Sequence, residues 1–293
     1  MGSTASGKSA VAMEVARRLG DVELVSIDSM QVYRGMDIGT AKPSLAEQAE
    51  IAHHLIDLVE PTDDFTVARF KAAYTAAIET IAERGRRAVL VGGTGLYHRV
   101  VIDDFELPGE WPEVRAEIDA EPDTAALFTR LRELDPEAVT KMEPTNRRRI
   151  VRALEVTIGS GEPFSSFGPG VDNYPRSGVP QIGLRWPREV LSERIARRVR
   201  RMIDEGLVDE VAALHRGGLS RTAAQALGYK EIIDALDGRI SQDEAIDTII
   251  TRTRQFAVRQ ERWFRRDPRV RWIDVEHDPV AEATAAVIDA IDA

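Results

Sequence analysis

Apolar and polar positions alternate along the first third of the chain in the rhythm of buried strands joined by amphipathic helices. Helical spacing of apolar residues predicts helices from residue 8 to Gly20, over 66–84 and over 94–102. Short apolar runs predict buried strands at 23–28, 54–59 and 88–91. A parallel sheet with crossover helices requires this alternation, so the pattern indicates an α/β domain.

The rhythm changes near residues 108–112. Residues 111–178 carry helix patterns and Gly/Pro/Ser turns but no convincing buried strand, which indicates a helical insertion between core segments 1–110 and 179–293. The alternation then resumes with a strand at 181–185. After it come a capping box at 241–244 that opens a long helix to about Arg266, a strand at 271–275 and a terminal helix from Pro279.

The opening segment has the phosphate-binding pattern G-x-x-x-x-G-K-[ST] at every fixed position. Its residues are Gly2, Ser3, Thr4, Ala5, Ser6, Gly7, Lys8 and Ser9. Backbone amides of such a loop surround phosphate oxygens, the lysine adds a positive charge, and the Ser9 hydroxyl can ligate Mg²⁺. The loop therefore predicts binding of a diphosphate or triphosphate at the N-terminus of the first helix.

A loop of this kind normally follows a central parallel strand, and here only Met1 precedes Gly2. The sequence thus predicts a P-loop NTPase-like core whose first strand is missing. We expect either that this strand has been lost or that the true start lies upstream, with Met1 standing where the last strand residue should be.

Composition is that of an ordinary globular protein of 293 residues with a formal net charge of −10 and no cysteine. The missing cysteines exclude disulfides, thiolate metal sites and cysteine nucleophiles. The five histidines form no H-E-x-x-H pair, which leaves zinc chemistry without ligands. Because there is no long apolar run and no signal-peptide pattern, we expect a cytoplasmic protein. We also expect a monomer.

Basic residues are concentrated in three segments despite the negative net charge. Residues 141–152 hold five basic residues against one acidic residue, residues 185–201 seven against two, and residues 252–271 eight against two. Clustered charge builds a binding face for a polyanion, although three solvated helix faces would give the same counts.

Two further strand-to-helix turns carry candidate chemistry. Asp28 comes directly after a buried strand, at the sheet edge where α/β proteins bind ligands. Thr94 follows two glycines at the end of the third predicted strand, where it can cap a helix or contact a ligand. Between these turns runs a polar loop over residues 34–43 that is too long for a simple connection.

These segments together resemble one family. The sequences G-S-T-A-S-G-K-S, I-D-S-M-Q-V-Y-R-G-M-D-I-G-T-A-K-P, V-G-G-T-G-L-Y, R-A-L-E-V and A-L-G-Y-K-E occur in the order found in the bacterial tRNA dimethylallyltransferase family, also called tRNA isopentenyltransferases. The resemblance covers essentially the whole chain. It implies transfer of a dimethylallyl group from dimethylallyl diphosphate to the exocyclic N6 amine of the adenosine directly 3′ of the anticodon.

The resemblance also implies residue roles. The catalytic base falls on Asp28 and an active-site threonine on Thr94. The tRNA-contacting segments fall on Asp28, Ser29, Met30, Gln31, Arg115, Arg148, Arg149, Arg152, Gln225, Gly228, Tyr229 and Lys230. The insertion 111–178 corresponds to the family's clamp on the anticodon arm.

Chemistry adds a role for basic side chains near the phosphate loop. The departing diphosphate gains negative charge, which Lys8, Mg²⁺ and arginines such as Arg194 or Arg198 can stabilise. Two other functions fit parts of the pattern: a small-molecule kinase with ATP in the same loop, and a non-enzymatic RNA-binding protein that retains the arginines.

Overall fold

The computed structural model describes residues 1–105, 107–168, 170 and 173–293. Its strands are β1 (Val22–Ile27), β2 (His53–His54), β3 (Arg87–Gly92), β4 (Gln181–Arg185) and β5 (Val270–Asp274). Its helices are α1 (Lys8–Leu19), α2 (Leu45–Glu50), α3 (Val67–Glu83), α4 (Gly95–Ile102), α5 (Pro112–Asp119), α6 (Thr124–Leu134), α7 (Pro136–Thr140), α8 (Arg147–Ser160), α9 (Arg188–Asp204), α10 (Leu207–Gly217), α11 (Tyr229–Leu236), α12 (Gln242–Phe264) and α13 (Pro279–Asp292).

The chain divides into two compact units. The first comprises residues 1–102 and 176–293, and the second comprises residues 103–175. The predicted insertion, residues 111–178, overlaps the second unit, and its positions 169, 171 and 172 lie outside the described residues, as does position 106.

Parallel strands form the centre of the first unit, in two small sheets. One sheet has the order β2-β1-β3, and the other pairs β4 with β5. Every residue of β1 is buried, as expected of a strand covered on both faces. The one charged residue of β1 is Glu23, whose carboxylate forms hydrogen bonds with His54 at 2.6 Å and Arg84 at 2.9 Å. These contacts offset the free-energy cost of burying the carboxylate. The predicted α/β class with parallel strands is confirmed.

Local signals in the sequence account for the ends of several helices. The Ser44 and Ser241 hydroxyls cap α2 and α12 within capping boxes, and Gly20 ends α1 in a left-handed conformation. Thr66 caps α3 through the amide of Arg69.

The predicted strand at 54–59 is wrong for most of its length. Only His53 and His54 pair with β1. Leu55 and Asp57 have φ angles of 63° and 53°, and these left-handed residues turn the backbone out of an extended path. Val59 forms one isolated parallel bridge with Tyr33.

The second unit is helical over its described residues. Ile118 of α5, Leu127 and Leu131 of α6, and Ile150 and Leu154 of α8 form its buried core. Asp135 is buried between α6 and α7, where it accepts hydrogen bonds from the Ala138 amide and the Ser165 hydroxyl. These bonds hold the pKa of its carboxyl below the usual value despite burial. Among the described residues of the whole chain, no helix has the length and apolarity to cross a bilayer.

Candidate functional site

Two residues with left-handed backbone conformations shape the loop before α1. Ala5 and Gly7 have φ angles of 61° and 91°, and Gly7 occupies the N-cap position of α1. A Cβ atom at Gly7 would lie 2.4 Å from Cγ of Pro279 in α13, so this position requires glycine for space as well as for conformation. The first-turn amides of α1 have no acceptor within the helix, and they carry the positive end of its dipole.

Carbonyl groups of this loop accept hydrogen bonds from the surrounding protein. The Trp186 indole donates to the Ser6 carbonyl at 2.9 Å, and the Arg194 guanidinium donates to the Ala5 carbonyl at 3.0 Å. The same guanidinium stacks 4.2 Å above the Trp186 ring. Because these carbonyl dipoles are bound by donors, the loop presents little negative potential to an incoming anion.

Two cations lie near Asp28 at this loop. Burial lowers the pKa of Lys8 to about 8, with a further lowering from the charge of Arg198 and an opposing effect from Asp28. Burial also lowers the pKa of Arg198, and Asp28 opposes that shift as well. Lys8 donates to the Ser3 carbonyl at 3.4 Å, a weak contact that leaves its charge available to a ligand.

Asp28 and Thr94 meet at the carboxyl ends of β1 and β3, where Ile27 pairs with Gly92. The Thr94 hydroxyl accepts a hydrogen bond from the Ser29 amide at 3.2 Å, and Oδ1 of Asp28 accepts one from the Met30 amide at 2.9 Å. These bonds fix both side chains on short turns rather than on mobile loops.

Glycine is required in the turn after β3 because three neighbours approach its backbone. A Cβ atom at Gly92 would lie 2.0 Å from the Ile27 carbonyl oxygen. At Gly93 it would lie 2.3 Å from the Gln260 amide nitrogen, and at Gly95 2.1 Å from the Trp263 ring. The missing side chains of these glycines therefore allow β1 and α12 to pack closely against the turn that carries Thr94.

Gln260 of α12 connects the phosphate loop to the turn that carries Thr94. Its amide oxygen accepts a hydrogen bond from the Thr4 amide at 2.8 Å, and its amide nitrogen donates to the Gly93 carbonyl at 2.9 Å. Gln260 is 7% exposed. Sequence reasoning missed this residue, although a glutamine on the apolar side of an arginine-rich helix was a detectable signal.

A carboxylate from α10 binds three backbone amides of the polar loop after Asp28. The Glu210 carboxylate accepts hydrogen bonds from the amides of Asp37, Ile38 and Gly39 at 3.0, 2.7 and 3.2 Å. The Tyr229 hydroxyl donates to the same carboxylate at 2.6 Å. Burial and the Glu210 charge together raise the pKa of Tyr229, which keeps its proton in this bond.

Gln31, a predicted tRNA contact, is fixed by the same loop. Its amide nitrogen donates to the carbonyls of Thr40 and Ala41 at 3.2 and 3.1 Å, and its amide oxygen accepts from the Ser26 hydroxyl at 2.7 Å. Tyr229 is fully buried, and its ring occupies the space beside Gly39. The structure therefore gives Tyr229 a supporting position beneath the loop, while Gln225 is exposed.

Lys230 and Gly228 lie at the start of α11 beside a buried acid. Glu231 accepts a hydrogen bond from the Gly228 amide at 2.9 Å and pairs with Arg252 of α12 at 2.5 Å. The pair ties the start of α11 to the arginine-rich helix.

The arginines predicted to contact tRNA in the second unit fall into two groups. Arg115 and Arg152 both pair with buried Glu155, at 3.1 and 2.8 Å. Arg148 and Arg149, in the first turn of α8, are exposed. The paired arginines are oriented by Glu155, whereas the exposed ones present their charges to solvent.

No group of three or more His, Asp or Glu side chains is arranged to hold a metal ion in the part of the chain that the structure describes. Ser9 is exposed at the first turn of α1, next to Lys8. A Mg²⁺ ion here would depend on the Ser9 hydroxyl, water and substrate phosphate oxygens, which is the usual manner of Mg²⁺ binding.

Comparison with known proteins gives consistent matches. The model of the IPP transferase family matches residues 31–267. The tRNA dimethylallyltransferase of Bifidobacterium animalis subsp. lactis is 44% identical over 300 residues, covering 100% of this chain and 86% of the relative. That of Kineococcus radiotolerans is 48% identical over 283 residues, covering 93% and 89%.

Solved structures agree. A tRNA isopentenylpyrophosphate transferase from Bacillus halodurans is 40% identical, with a TM-score of 0.73 and coverage of 99% of this chain and 93% of that one. A eukaryotic dimethylallyltransferase captured acting on tRNA is 26% identical, with a TM-score of 0.81 and coverage of 98% and 76%.

Proposed function

The chain belongs to the IPP transferase family and is a transferase that carries a dimethylallyl group to tRNA; we propose that the group moves from dimethylallyl diphosphate to the N6 amine of the adenosine directly 3′ of the anticodon. The family match carries this proposal. It is supported by the meeting of Asp28 and Thr94 at the ends of β1 and β3, near the charges of Lys8 and Arg198.

The diphosphate of the donor binds the loop formed by residues 2–9, which serves as the phosphate loop of a P-loop NTPase-like core. The first-turn amides of α1 and Lys8 face its oxygens, and Arg198 adds a second positive charge. Arg194 acts mainly through the Ala5 carbonyl, which it holds away from the anion. Mg²⁺, when bound through the Ser9 hydroxyl, would supply further charge neutralisation.

The reaction is a substitution at an allylic carbon. The bond between the allylic carbon and the diphosphate oxygen breaks, and its electron pair leaves with the diphosphate. The N6 lone pair forms the new carbon–nitrogen bond. Because the adenine ring delocalises that lone pair, most of the activation comes from stabilising the leaving group, at about 3 kcal/mol for each preorganised donor.

Asp28 accepts the proton that N6 loses. General-base catalysis of this kind contributes about 10²- to 10⁴-fold. Oδ1 of Asp28 is already engaged by the Met30 amide, so the carboxylate is oriented before the substrate arrives. Thr94 lies on the neighbouring turn, where its hydroxyl accepts from the Ser29 amide, and it can contact either the amine or the donor.

The tRNA is held by the loop at residues 28–31, by residues 225–230 and by the arginines of the second unit. The adenosine must leave its stack in the anticodon loop, at a cost of a few kcal/mol. Phosphate contacts from Arg148 and Arg149 can offset this cost without reading sequence.

A labelling experiment tests the proposal against its main alternative. Purified protein, Mg²⁺ and unmodified tRNA are incubated with dimethylallyl diphosphate labelled in the allyl group, and in parallel with ATP labelled in the γ-phosphate. We expect allyl label in one adenosine of the tRNA and no transfer from ATP. Transfer of phosphate to a small molecule would indicate a kinase, and tRNA binding without either transfer would indicate an RNA-binding protein.

A further inference from the structure

Lys42 is a buried cation that the proposed reaction does not use. Its side chain is 2% exposed. The ammonium donates hydrogen bonds to the Tyr33 carbonyl at 2.8 Å, to Oδ1 of Asp37 at 2.6 Å and to Oδ1 of Asp57 at 2.5 Å. An ammonium group has three hydrogens, so each of them has an acceptor within the protein. Because lysine is almost never fully buried unless it is paired, these bonds are what allow the charge to be buried.

The three acceptors of Lys42 belong to three segments of the first unit. Tyr33 lies in the turn after β1, Asp37 belongs to the polar loop, and Asp57 follows β2. Asp57 and Ala41 have left-handed φ angles of 53° and 50°. This conformation is unfavourable for residues other than glycine, so it persists only where surrounding contacts enforce it. The ion pair between Lys42 and Asp57 is one such contact.

The segments that Lys42 joins are also the segments that fix Gln31. The side-chain amide of Gln31 donates to the carbonyls of Thr40 and Ala41, which directly precede Lys42, at 3.2 and 3.1 Å. The backbone carbonyl of Gln31 accepts a hydrogen bond from the Asp57 amide at 3.0 Å. Lys42 therefore links the residues that hold the Gln31 side chain to the residue that holds its backbone.

Glu210 and Lys42 hold different parts of the polar loop. The Glu210 carboxylate binds the amides of residues 37–39 and connects them to α10. Lys42 connects the loop to Asp57 instead, through the hydrogen bonds of its ammonium to Asp37 and Asp57. Without the ammonium, Glu210 would still bind its three amides, but the link between the loop and Asp57 would be lost. The specific contribution of Lys42 is thus the placement of Gln31.

We propose that Lys42 is a positioning residue for tRNA binding, whose ammonium joins the polar loop to Asp57 and thereby holds Gln31 in place for the tRNA. The inference rests on the proposed contact between Gln31 and tRNA. Lys42 acts through Gln31, because its own three hydrogens are used within the protein. Among the described residues, none of these hydrogen bonds reaches the phosphate loop at residues 2–9. The effect of Lys42 therefore falls on tRNA and not on the donor.

The first experiment compares steady-state kinetics and tRNA affinity for wild type, Lys42→Met and Lys71→Met. Lys42→Met keeps the approximate length of the side chain and removes its charge, and the control Lys71→Met removes the same charge from α3. We expect Lys42→Met to raise the KM and the dissociation constant for tRNA by about fivefold or more. Its KM for dimethylallyl diphosphate should stay within about twofold of wild type.

A purely structural role for Lys42 gives a different result. A destabilised variant would lose kcat in proportion to its inactive fraction and would keep both KM values. That result would overturn the proposal, as would equal tRNA affinities for Lys42→Met and Lys71→Met.

Chemical rescue keeps the test decisive if Lys42→Met folds poorly. The chain has no cysteine, so Lys42→Cys carries a single thiol. Alkylation in urea with bromoethylamine, followed by refolding, gives a side chain of lysine length that ends in an ammonium. Bromoethanol gives a side chain of the same length without the charge.

The two alkylated forms should differ in tRNA affinity. We expect the aminoethyl form to bind tRNA within about threefold of wild type, and the hydroxyethyl form to bind about fivefold or more weakly. Equal affinities for the two forms would overturn the proposal. Because these affinities are measured without the donor, a wild-type protein that transfers no dimethylallyl group would refute the proposed function separately.

Discussion

Gln260 should control both stability and turnover, because it is the link between the phosphate loop and the turn of Thr94. Gln260→Met keeps the approximate size of the side chain and removes both hydrogen bonds. The Thr4 amide and the Gly93 carbonyl then lose their partners at 2.8 and 2.9 Å. Each buried group left unpaired costs about 1–3 kcal/mol, so we expect the free energy of unfolding to fall by about 2 kcal/mol or more.

Turnover should fall as well, because the loop and the turn lose their common anchor. A displacement of about 1 Å between donor and base can cost about 10²-fold in rate. Gln260→Glu keeps one of the two hydrogen bonds and removes the other. A carboxylate can still accept from the Thr4 amide, but it repels the Gly93 carbonyl. We expect it to lie between wild type and Gln260→Met in turnover.

Urea unfolding and steady-state kinetics with unmodified tRNA provide the readouts, and Gln255→Met provides the matched control. Gln255 lies on the same helix but is exposed. The reasoning is refuted if Gln260→Met and Gln255→Met have the same free energy of unfolding and the same kcat/KM.

Three further outcomes are expected. Glu210→Gln removes the charge from a carboxylate that accepts hydrogen bonds from three loop amides and the Tyr229 hydroxyl. Because charged hydrogen bonds are about twice as strong as neutral ones, the KM for tRNA should rise several-fold. Asp209→Asn, at the exposed neighbouring position, should leave this KM unchanged. The pKa of Lys8 is about 8, and only the protonated side chain attracts the diphosphate, so kcat/KM for the donor should fall as the pH rises through about 8. A flat pH profile of kcat/KM up to pH ~9.5 would contradict the role of Lys8 in binding the diphosphate. Gly92→Ala places a Cβ atom 2.0 Å from the Ile27 carbonyl oxygen. In a urea titration it should lower the free energy of unfolding by about 3 kcal/mol or more. The control Gly217→Ala meets no atom within 4 Å and should leave the free energy of unfolding nearly unchanged.

Local patterns in the sequence predicted the strands β1, β3, β4 and β5 and the helices α1, α3, α4, α12 and α13. β1, β3 and β4 were predicted within a residue or two, and so were α3, α4 and α12. Thr66 and Ser241 mark the starts of α3 and α12 as side-chain caps.

The strand at 54–59 was predicted wrongly because Leu55 and Asp57 adopt left-handed φ angles. The Asp57 and Leu58 amides bond to the carbonyls of Gln31 and Val32, contacts that no local pattern records.

The candidate site was predictable where a motif fixes the backbone, as in the phosphate loop and at Asp28. Gln260, Glu210 and Glu155 were missed because each acts across 40 or more residues of sequence on a partner that only the fold brings near. Glu210 was further concealed by its charged neighbour Asp209, since a buried acid and a solvated one look alike in a helical pattern.

The roles predicted for the individual site residues remain predictions, and Asp28 is the most direct one to test. The decisive measurement is a single-turnover assay of N6-dimethylallyladenosine formation at the position 3′ of the anticodon, with wild type and Asp28→Asn at saturating tRNA and donor. We predict that Asp28→Asn lowers the rate by about 10²-fold or more while tRNA affinity stays within a few-fold. An unchanged rate, or a dimethylallyl group attached at another position, would contradict the account.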